Sequence, residues 1–371
     1  MNWFSRSVYS VLYFFFHNFS GAGNKPISDK YYENKRESTK LYKMIRWYER
    51  QLWSNNILNS NTVRSLEIPT INSDQISPEV FEFLSHNKTR PVVIKGLIKN
   101  TKAHNEWNPN YFQDFYGDIK IITLDNKLTG KKAYTSFNIP LGQERRKLYD
   151  ILEQMKNHEG SSDSCTYINN VTSIFSDCPE LLEDLELDQL KIIDDKINLD
   201  TVLKVNLFMG PENTGSSLHC AVGGNFFFNI YGHKRWLLID PKYTPYLSST
   251  PAHDFSFVIS GEDAENPSEL LQKIPRYEIV LEPGDVLFNP PWWWHAVHNE
   301  DFTIACAVRD HTCYSQSWYN NSTFMMNSSY WWRLNPWFMS LIKYIKGHNW
   351  MLQESLKSDQ HVADTMAVKN D

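Results

Sequence analysis

The chain has 371 residues, of which 41% are apolar and 14% aromatic. It can therefore bury a large core, and it suits one large domain with appendages or two domains. A formal net charge of −6 provides no basic field, so binding to a nucleic-acid backbone is disfavoured. The five cysteines are odd in number and form no Cys-x-x-Cys pair, which indicates reduced thiols and not a disulfide framework.

Residues 1–65 are predicted to form an appendage made of an apolar segment, a helix and a linker. The apolar stretch from Val8 to Phe16 follows Arg6, which is typical of a secretory signal segment. It is equally typical of an amphipathic helix packed on the domain or lying on a membrane surface. The predicted address is cytoplasmic or, if this stretch is a signal or anchor, secretory or membrane-associated. Residues 28–53 have helical spacing, and residues 54–65 have the composition of a linker.

Residues 66–312 are predicted to be one domain. It begins with an extended segment, a helix from about Ser77 and a buried strand at Arg90 to Lys95. A mostly helical region at 141–190 contains one extended segment, Cys165 to Val171. Many short strands separated by Gly/Pro turns then predict a closed or two-sheet β architecture. The predicted strands are 202–209, 225–231, 235–240, 277–281, 286–289 and 302–308, with residues 241–275 as a polar insertion.

The C-terminal region returns to a helical pattern. Residues 313–352 are rich in aromatic side chains, and residues 353–371 are predicted to form a disordered tail. A soluble monomer rarely exposes so much apolar surface. The aromatic residues are therefore expected to be buried in the domain or in a homodimer. A surface facing lipid or an apolar substrate is the alternative.

Two stretches within the domain combine histidines with strand-forming residues. The first, SSLHCAVGGNFFFNIYGHKR, runs from Ser216 to Arg235. The second, EPGDVLFNPPWWWHAV, runs from Glu282 to Val297, and its turn is expected to lead into a strand that ends on Trp-Trp-Trp-His. Together they resemble the two metal-bearing strands of the JmjC/cupin-like Fe(II)/2-oxoglutarate-dependent oxygenases, and in particular the branch of asparaginyl hydroxylases that act on hypoxia-inducible factor.

The resemblance implies a mainly β fold, a double-stranded β-helix of the jelly-roll, cupin-like type with helices at both ends. It also implies that His219 and His295 bind Fe(II), beside 2-oxoglutarate and O₂. The family's code is His-x-Asp/Glu, because residues i and i+2 of a strand point to the same side. In this sequence the carboxylate position is Ala221, whose methyl group cannot bind iron. Cys220 is expected to point away from the metal.

The family's cosubstrate residues correspond to further positions of this sequence. The lysine that pairs with the far carboxylate of 2-oxoglutarate corresponds to Lys234, a role that suits a buried site because a buried carboxylate needs a paired charge. A hydroxyl group for the same carboxylate corresponds to Ser216. An amide beside the cosubstrate corresponds to Asn225.

Two other cosubstrate contacts are implied by the resemblance. The extended segment before the core contributes the hydroxyl of Tyr167 to the pocket. The family's second amide near the metal falls on Ala307, which has no polar group. Arg309 is expected to replace that amide as a donor.

Three hypotheses remain for the missing carboxylate. Iron/2-oxoglutarate radical halogenases carry Ala or Gly at this position, so chloride binds the iron directly. Alternatively, water or another carboxylate, such as Glu212 or Asp310, completes a hydroxylase. In the third hypothesis metal binding is weak and the domain is a catalytically inactive binding module. The halogenase is favoured because the other site residues are all in place, and a small-molecule or peptide substrate is expected.

Overall fold

In a computed structural model, the chain is described at residues 7–13, 40–56, 65–121, 124–125, 145–157, 166–195, 197, 205–251, 257–262, 264, 266–310 and 312–328. The chain forms two compact units, residues 1–325 and 326–371. Only residues 326–328 of the second unit are among those described. Most of the aromatic region predicted at 313–352, and all of the tail predicted at 353–371, lie outside the described residues.

The strands are numbered in chain order. They are β1 (Ser65–Leu66), β2 (Thr70–Asn72), β3 (Val92–Lys95), β4 (Lys120–Ile121), β5 (Leu124–Asp125), β6 (Arg146–Lys147), β7 (Thr166–Val171), β8 (Val205–Gly210), β9 (Gly215–Ala221), β10 (Gly224–Tyr231), β11 (Lys234–Ile239), β12 (Thr250–Pro251), β13 (Phe257–Ile259), β14 (Arg276–Leu281), β15 (Val286–Asn289), β16 (Trp294–Asn299) and β17 (Thr303–Asp310).

The α-helices are numbered in the same way. They are α1 (residues 7–13), α2 (Lys40–Asn56), α3 (Pro78–Leu84), α4 (Lys102–Glu106), α5 (Pro109–Tyr116), α6 (Leu148–Lys156), α7 (Ser173–Asp177), α8 (Glu180–Glu183), α9 (Glu269–Lys273) and α10 (Tyr314–Ser328). Two 3₁₀ helices cover Leu187–Ile192 and Pro241–Tyr246.

Two large sheets form the core in the part of the chain that the structure describes. One has the strand order β1-β14-β11-β16-β9-β13-β12, and the other has the order β2-β3-β15-β10-β17-β8-β7-β5. The pairs β9–β16, β11–β16, β10–β15 and β10–β17 are antiparallel. The predicted mainly β, jelly-roll core is confirmed.

Three apolar clusters pack against the two large sheets: one lies between the sheets, and one lies on the outer face of each sheet. The inner cluster includes Trp236, Leu238 and Phe227 and lies between the sheets. Helices α3 to α8 cover the outer face of the eight-stranded sheet. Strand alternation separates the inner face from the outer face of each sheet, so neighbouring residues of one strand belong to different clusters.

The strands β9 and β16 lie outside the six predicted ranges. Both strands carry polar residues, namely histidine, serine and asparagine, on the inner face. Neither sequence therefore shows the longer run of alternating apolar residues that predicts a strand. The predicted insertion at 241–275 contains the 3₁₀ helix Pro241–Tyr246, β12, β13 and α9. Two of the missed strands are therefore the ones that carry the histidines.

The outer face of the seven-stranded sheet is covered by both ends of the described chain. In α1, Tyr9 and Tyr13 are buried, and the Tyr9 hydroxyl lies 3.2 Å from Ser249 Oγ. In α10, the ring of Phe324 packs 5.2 Å from the ring of Trp292 and 5.3 Å from that of Tyr13. None of the helices within the described residues combines the length and apolar character needed to cross a bilayer. The cellular location of the chain stays a prediction.

We expect Phe324→Ala to destabilise the fold. Phe324 is 1% exposed and contacts aromatic rings from two other segments, so its removal leaves a cavity. Loss of a buried Phe side chain costs on the order of 3–5 kcal/mol. Tyr319→Ala in the same helix is the control, because Tyr319 is 80% exposed. Urea unfolding measures both variants, and equal midpoints would contradict the packing of α10.

Candidate active site

The inner face of the seven-stranded sheet has a histidine end and a lysine end. Directly paired residues of antiparallel strands point to the same side. In β11 and β16 the pairs are Leu238 with His295 and Lys234 with Asn299. The two levels are four residues apart along each strand, about 13 Å at 3.3 Å per residue.

The two predicted metal ligands lie opposite each other. His219 in β9 pairs with His295 in β16, and their ring centroids are 4.1 Å apart. The next pair is Ser216 with Val297, so β9 has one residue more than β16 between the two pairs. This β-bulge lets Ser216 and His219 face the same interior although three positions separate them.

Main-chain carbonyls select the tautomer of both histidines. His219 Nδ1 lies 2.7 Å from the Ser217 carbonyl oxygen, and His295 Nδ1 lies 2.8 Å from that of Trp293. A carbonyl oxygen only accepts, so each Nδ1 carries the proton and donates it. Each Nε2 is then the unprotonated nitrogen, which is the form that binds metals.

Burial keeps both imidazoles neutral. For His219, burial and then the proximity of His295 hold the pKa well below its usual range, although the bond to the Ser217 carbonyl opposes this. For His295, burial lowers the pKa to about 4, against the opposing bond to the Trp293 carbonyl. The guanidinium of Arg309 lowers both pKa values further. At neutral pH both side chains are therefore in the state that a metal ion requires.

The strand β15 covers the predicted range 286–289, but it does not continue through the tryptophans to His295. β15 stops at Asn289, two prolines begin a turn, and His295 is the second residue of β16. Trp292 lies in this turn with φ of 62°, and its N–H donates to the Ala221 carbonyl at 2.7 Å. A left-handed conformation of a bulky residue costs roughly 1–2 kcal/mol. This bond ties the turn to the strand of His219.

Ala221 lies on the histidine side of β9, two residues after His219. Within the described ranges, no three or more His, Cys, Asp or Glu side chains come together in a way that could hold a metal ion. Asp310 faces outward and bonds Lys88 at 3.0 Å, and Glu212 is exposed in the turn before β9. Neither of these predicted substitute carboxylates lies beside the histidines.

Cys220 points to the opposite face of β9. It is completely buried and belongs to the outer apolar cluster with Leu218 and Trp294. Strand alternation explains this placement, because Cys220 lies between two inward residues. Its thiol is therefore separated from the histidine pair by the sheet.

A buried ammonium group marks the other end of the interior. Lys234 is 0% exposed, and its Nζ donates to Asn299 Oδ1 at 2.7 Å. The rings of Tyr167 and Phe227 lie with their centroids 5.9 and 5.6 Å from Nζ. Burial lowers the pKa of Lys234 to about 7, and its described partners include no hydrogen-bonded carboxylate.

Asn299 holds this ammonium group in place. Its Nδ2 donates to Thr214 Oγ1 at 2.8 Å and to the Gly210 carbonyl at 3.3 Å, which leaves Oδ1 for Lys234. Gly210 is required here, because a Cβ would lie 2.4 Å from Tyr167 Cδ2. The site therefore presents a positioned, desolvated cation, which is the group that a buried carboxylate needs.

Several inward polar atoms lack partners within the described part of the chain. They include Trp236 Nε1, Thr303 Oγ1 and Asn225 Oδ1. Trp236 stacks on His295 with ring centroids 5.4 Å apart, and Thr303 pairs with Gly210 at the lysine end. Buried polar groups are normally hydrogen-bonded. The interior between the histidines and Lys234 therefore fits a small polar cosubstrate.

A row of polar side chains crosses the eight-stranded sheet at the histidine end. Asn225 pairs with Asn289 on one side and with Arg309 on the other, and the Asn289 amide lies 3.3 Å from His295 Nδ1. Burial lowers the pKa of Arg309 to about 10, so it remains charged at neutral pH. Asn225 and Arg309 are thus at the level of the histidines and not at that of Lys234.

The predicted site residues face one interior. The residues at the histidine end are His219, Ala221, Asn225, His295 and Arg309. Those nearer the lysine end are Tyr167, Ser216 and Lys234. Sequence reasoning missed Asn299, Trp236, Asn289 and Thr303. Asn299 could have been found, since it follows His295 by four residues and so shares its face.

Comparison with known proteins shows the family of the chain. Residues 79–336 match the model of a family described as a cupin-like domain. The chain belongs to that family. It is 28% identical over 239 residues to JmjC domain-containing protein D of Dictyostelium discoideum, an alignment that covers 58% of this chain and 51% of the relative. The predicted JmjC/cupin-like superfamily is confirmed.

Two relatives carry activities in their names. The chain is 23% identical to arginine-specific demethylase JMJ20 of Arabidopsis thaliana, over 68% of this chain and 59% of that protein. It is 25% identical to bifunctional arginine demethylase and lysyl-hydroxylase psr-1 of Caenorhabditis elegans, over 64% of this chain and 60% of that protein. The chain therefore spans about half to three-fifths of these relatives. Members of the superfamily use Fe(II), 2-oxoglutarate and O₂.

We expect Mn(II), as a redox-stable substitute for Fe(II), to stabilise the protein through the two histidines. A ligand at a hundred times its dissociation constant adds about 2.7 kcal/mol to the stability of the folded state. His219→Ala and His295→Ala should each abolish the shift in melting temperature. His233→Ala is the control, since His233 is half-exposed and bonds Asp301. A shift that survives both site variants would exclude this metal site.

Proposed function

We propose that this chain is an Fe(II)- and 2-oxoglutarate-dependent oxidoreductase whose third protein ligand is replaced by a ligand from solvent. The observation that carries the proposal is that His219 lies opposite His295, beside Ala221. The Nδ1 of each histidine donates a hydrogen bond to a main-chain carbonyl. Two imidazoles and a chelating cosubstrate can hold the iron. Without a third protein ligand, a position beyond the one that O₂ needs is left for a solvent ligand.

The chain's own residues would bind and orient the reactants. When bound, Fe(II) and 2-oxoglutarate supply O₂ activation and hydrogen abstraction from the substrate, with 2-oxoglutarate converted to succinate and CO₂. Lys234 would pair with the far carboxylate of 2-oxoglutarate, held in position by Asn299. Ser216 and Tyr167, on opposite sheets, lie nearer the lysine end and would contribute hydroxyl groups.

The histidine surroundings would keep the metal centre rigid and dry. The carbonyls of Ser217 and Trp293 fix the ring orientations, and Trp236 stacks against His295. Partners of this kind orient metal ligands, and their removal typically reduces metal affinity by roughly 10–100-fold.

The identity of the solvent ligand decides the product. With chloride beside Ala221, the substrate would be halogenated. The lack of a carboxylate in the described site supports this, because Ala221 brings neither a ligand nor a negative charge that would repel an anion. With water there, the substrate would be hydroxylated. The demethylase and hydroxylase names of the relatives favour this second candidate.

A catalytically inactive binding module is the weaker hypothesis. Burying Lys234 without a carboxylate partner costs stability unless an anion joins it. A module that had lost its cosubstrate would be more stable with an apolar residue in place of Lys234. A small molecule or a peptide is the proposed substrate.

We expect Ala221→Asp to change both the affinity for metal and the product. A carboxylate two residues after His219 would complete the facial triad, so Mn(II) affinity should rise on the order of tenfold or more, a gain of ~1.4 kcal/mol. Any chloride dependence of the visible absorption of the Fe(II)/2-oxoglutarate complex should disappear. Ala221→Asn is the matched control, since it adds a similar volume without the charge.

The product assay separates the two candidates. Mass spectrometry of reactions with and without chloride would show a halogenated product if a halide occupies the position beside Ala221. A hydroxylated product that is the same with and without chloride would identify water as the ligand. Unchanged metal affinity in Ala221→Asp would mean that this residue does not face the metal.

We expect 2-oxoglutarate binding to take up a proton above neutral pH. Because burial lowers the pKa of Lys234 to about 7, the free protein holds it mostly neutral at pH 8, whereas a bound carboxylate requires the ammonium form. Affinity should therefore fall by up to about tenfold per pH unit above pH 7 and be insensitive to this group below it. Calorimetry of the anaerobic Mn(II) protein in two buffers of different ionisation enthalpy counts the protons.

Lys234→Arg provides the comparison for this experiment. A guanidinium group stays charged throughout the range, so binding to this variant should occur without proton uptake. Lys234→Met should lose most of the affinity for 2-oxoglutarate. Pairing of the cosubstrate with Lys234 is refuted if the wild type binds 2-oxoglutarate without proton uptake at pH 8.

A further inference from the structure

Helix α2 presents to solvent a face on which cations lie beside two apolar side chains. The residues of α2 that are described as exposed are Lys40, Lys43, Met44, Trp47, Arg50 and Gln51. Their spacing follows the period of a helix, so they share one side, which we call the basic face. Trp47 is 56% exposed and Met44 is 41% exposed. The apolar part of this face therefore remains in contact with water.

The charge of the basic face has one sign. It carries three cations and no carboxylate, although the whole chain has a net charge of −6. Arg50 donates to a carbonyl of its own helix, and the three cations form no ion pair among the described residues. The single acidic residue of α2, Glu49, is 1% exposed and pairs with Arg46 on the other side of the helix. The three charges are therefore available to an anionic partner.

The opposite side of α2 is fixed to the domain. Ile45 and Leu52 are buried in the outer apolar cluster of the seven-stranded sheet. A terminal nitrogen of Arg46 donates to the carbonyl oxygens of Ser248 and Ser249, at 3.1 and 3.3 Å. Turning Trp47 inward would break these contacts. The basic face is thus presented outward in a fixed orientation.

This composition is typical of a helix that lies on a lipid surface. Tryptophan is enriched at the boundary between headgroups and hydrocarbon. Lysine and arginine beside it are attracted to anionic lipids, and their long aliphatic stems let the charges reach the headgroups. A second copy of the chain would bring like charges together at this face. Met44 and Trp47 favour lipid over a nucleic-acid backbone, because a lipid surface offers both charged headgroups and hydrocarbon.

We propose that the basic face of α2 docks the protein onto a membrane surface that contains anionic lipid. Trp47 and Met44 enter the headgroup region, and the three cations pair with lipid phosphates and carboxylates. In α1, Tyr9 and Tyr13 are buried, so that part of the N-terminal apolar stretch packs on the domain. The docking does not depend on the proposed oxidoreductase activity, because no residue of the candidate active site takes part.

The test measures binding of the full-length protein to lipid vesicles. Flotation compares vesicles of phosphatidylcholine with vesicles in which about 30% of the lipid is phosphatidylserine. Each basic residue near an anionic surface contributes roughly a factor of five, so three should raise the affinity on the order of 100-fold. This gain should shrink as salt is added, because ions screen exposed charges.

A charge variant assigns the gain to the basic face. It combines Lys40→Gln, Lys43→Gln and Arg50→Gln. Binding to the anionic vesicles should fall to the level seen with phosphatidylcholine. The matched control changes the net charge equally at exposed cations outside α2, and it should keep the gain. It combines Lys99→Gln, Lys120→Gln and Arg145→Gln.

A second variant tests the apolar contact. Trp47→Ala should weaken binding to the anionic vesicles about tenfold, because part of the indole ring no longer leaves water. Phe83→Ala is the control, since Phe83 is 78% exposed in α3, whose charged residues are acidic. Every variant should keep the melting temperature of the wild type, because the replaced side chains are exposed. Loss of binding then cannot come from unfolding.

Several outcomes would overturn the proposal. They are equal binding of the wild type to both kinds of vesicle, binding to neither, and a charge variant that keeps the gain. Equal loss in the matched control would assign the effect to net charge and not to α2. Binding of polyglutamate or single-stranded RNA through the basic face, without binding of vesicles, would identify an acidic protein or a nucleic acid as the partner instead.

Discussion

The pairing of β9 with β16 is the constraint on which the candidate site depends. A shift of one residue would turn His219 to the outer face and bring Cys220 to the inner one. Two features oppose such a shift. The bulge after Ser216 brings the Ser217 carbonyl to His219 Nδ1, and the Trp292 N–H donates to the Ala221 carbonyl. The same main-chain contacts therefore fix the register and select the tautomer of the ligand.

This register also divides the interior into levels with different chemistry. The histidine end carries two neutral imidazoles, two amides and Arg309. Between the two ends, the rings of Trp236 and Phe227 are in edge contact at 4.8 Å, and Trp236 Nε1 has no partner among the described residues. The far end carries Lys234 in its cage of Asn299 and two aromatic rings. An elongated ligand with a polar group at each end suits this order of layers.

Short strands separated by turns predicted a closed or two-sheet β architecture, whereas the jelly-roll type, the two histidines and Lys234 were predicted from the resemblance of two short motifs to a known family. The levels of Asn225 and Arg309 could not be predicted in this way. They depend on which residues of different strands pair, and that is set by turn lengths and by the bulge in β9. The turn before His295 was missed because Trp292 adopts a left-handed conformation that its residue type does not signal.

The cost of the buried cations argues that the interior between the two sheets is a binding site. Lys234 and Arg309 are taken out of water, and neutral amides alone receive their hydrogen bonds among the described residues. Replacing such charges with apolar side chains of similar size is often neutral or stabilising. A fold selected only for stability would therefore have little reason to hold two cations at opposite ends of the interior between its sheets. An anion at each end would offset the desolvation of both cations, so this desolvation cost is a measure of how strongly the site favours ligands with acidic groups.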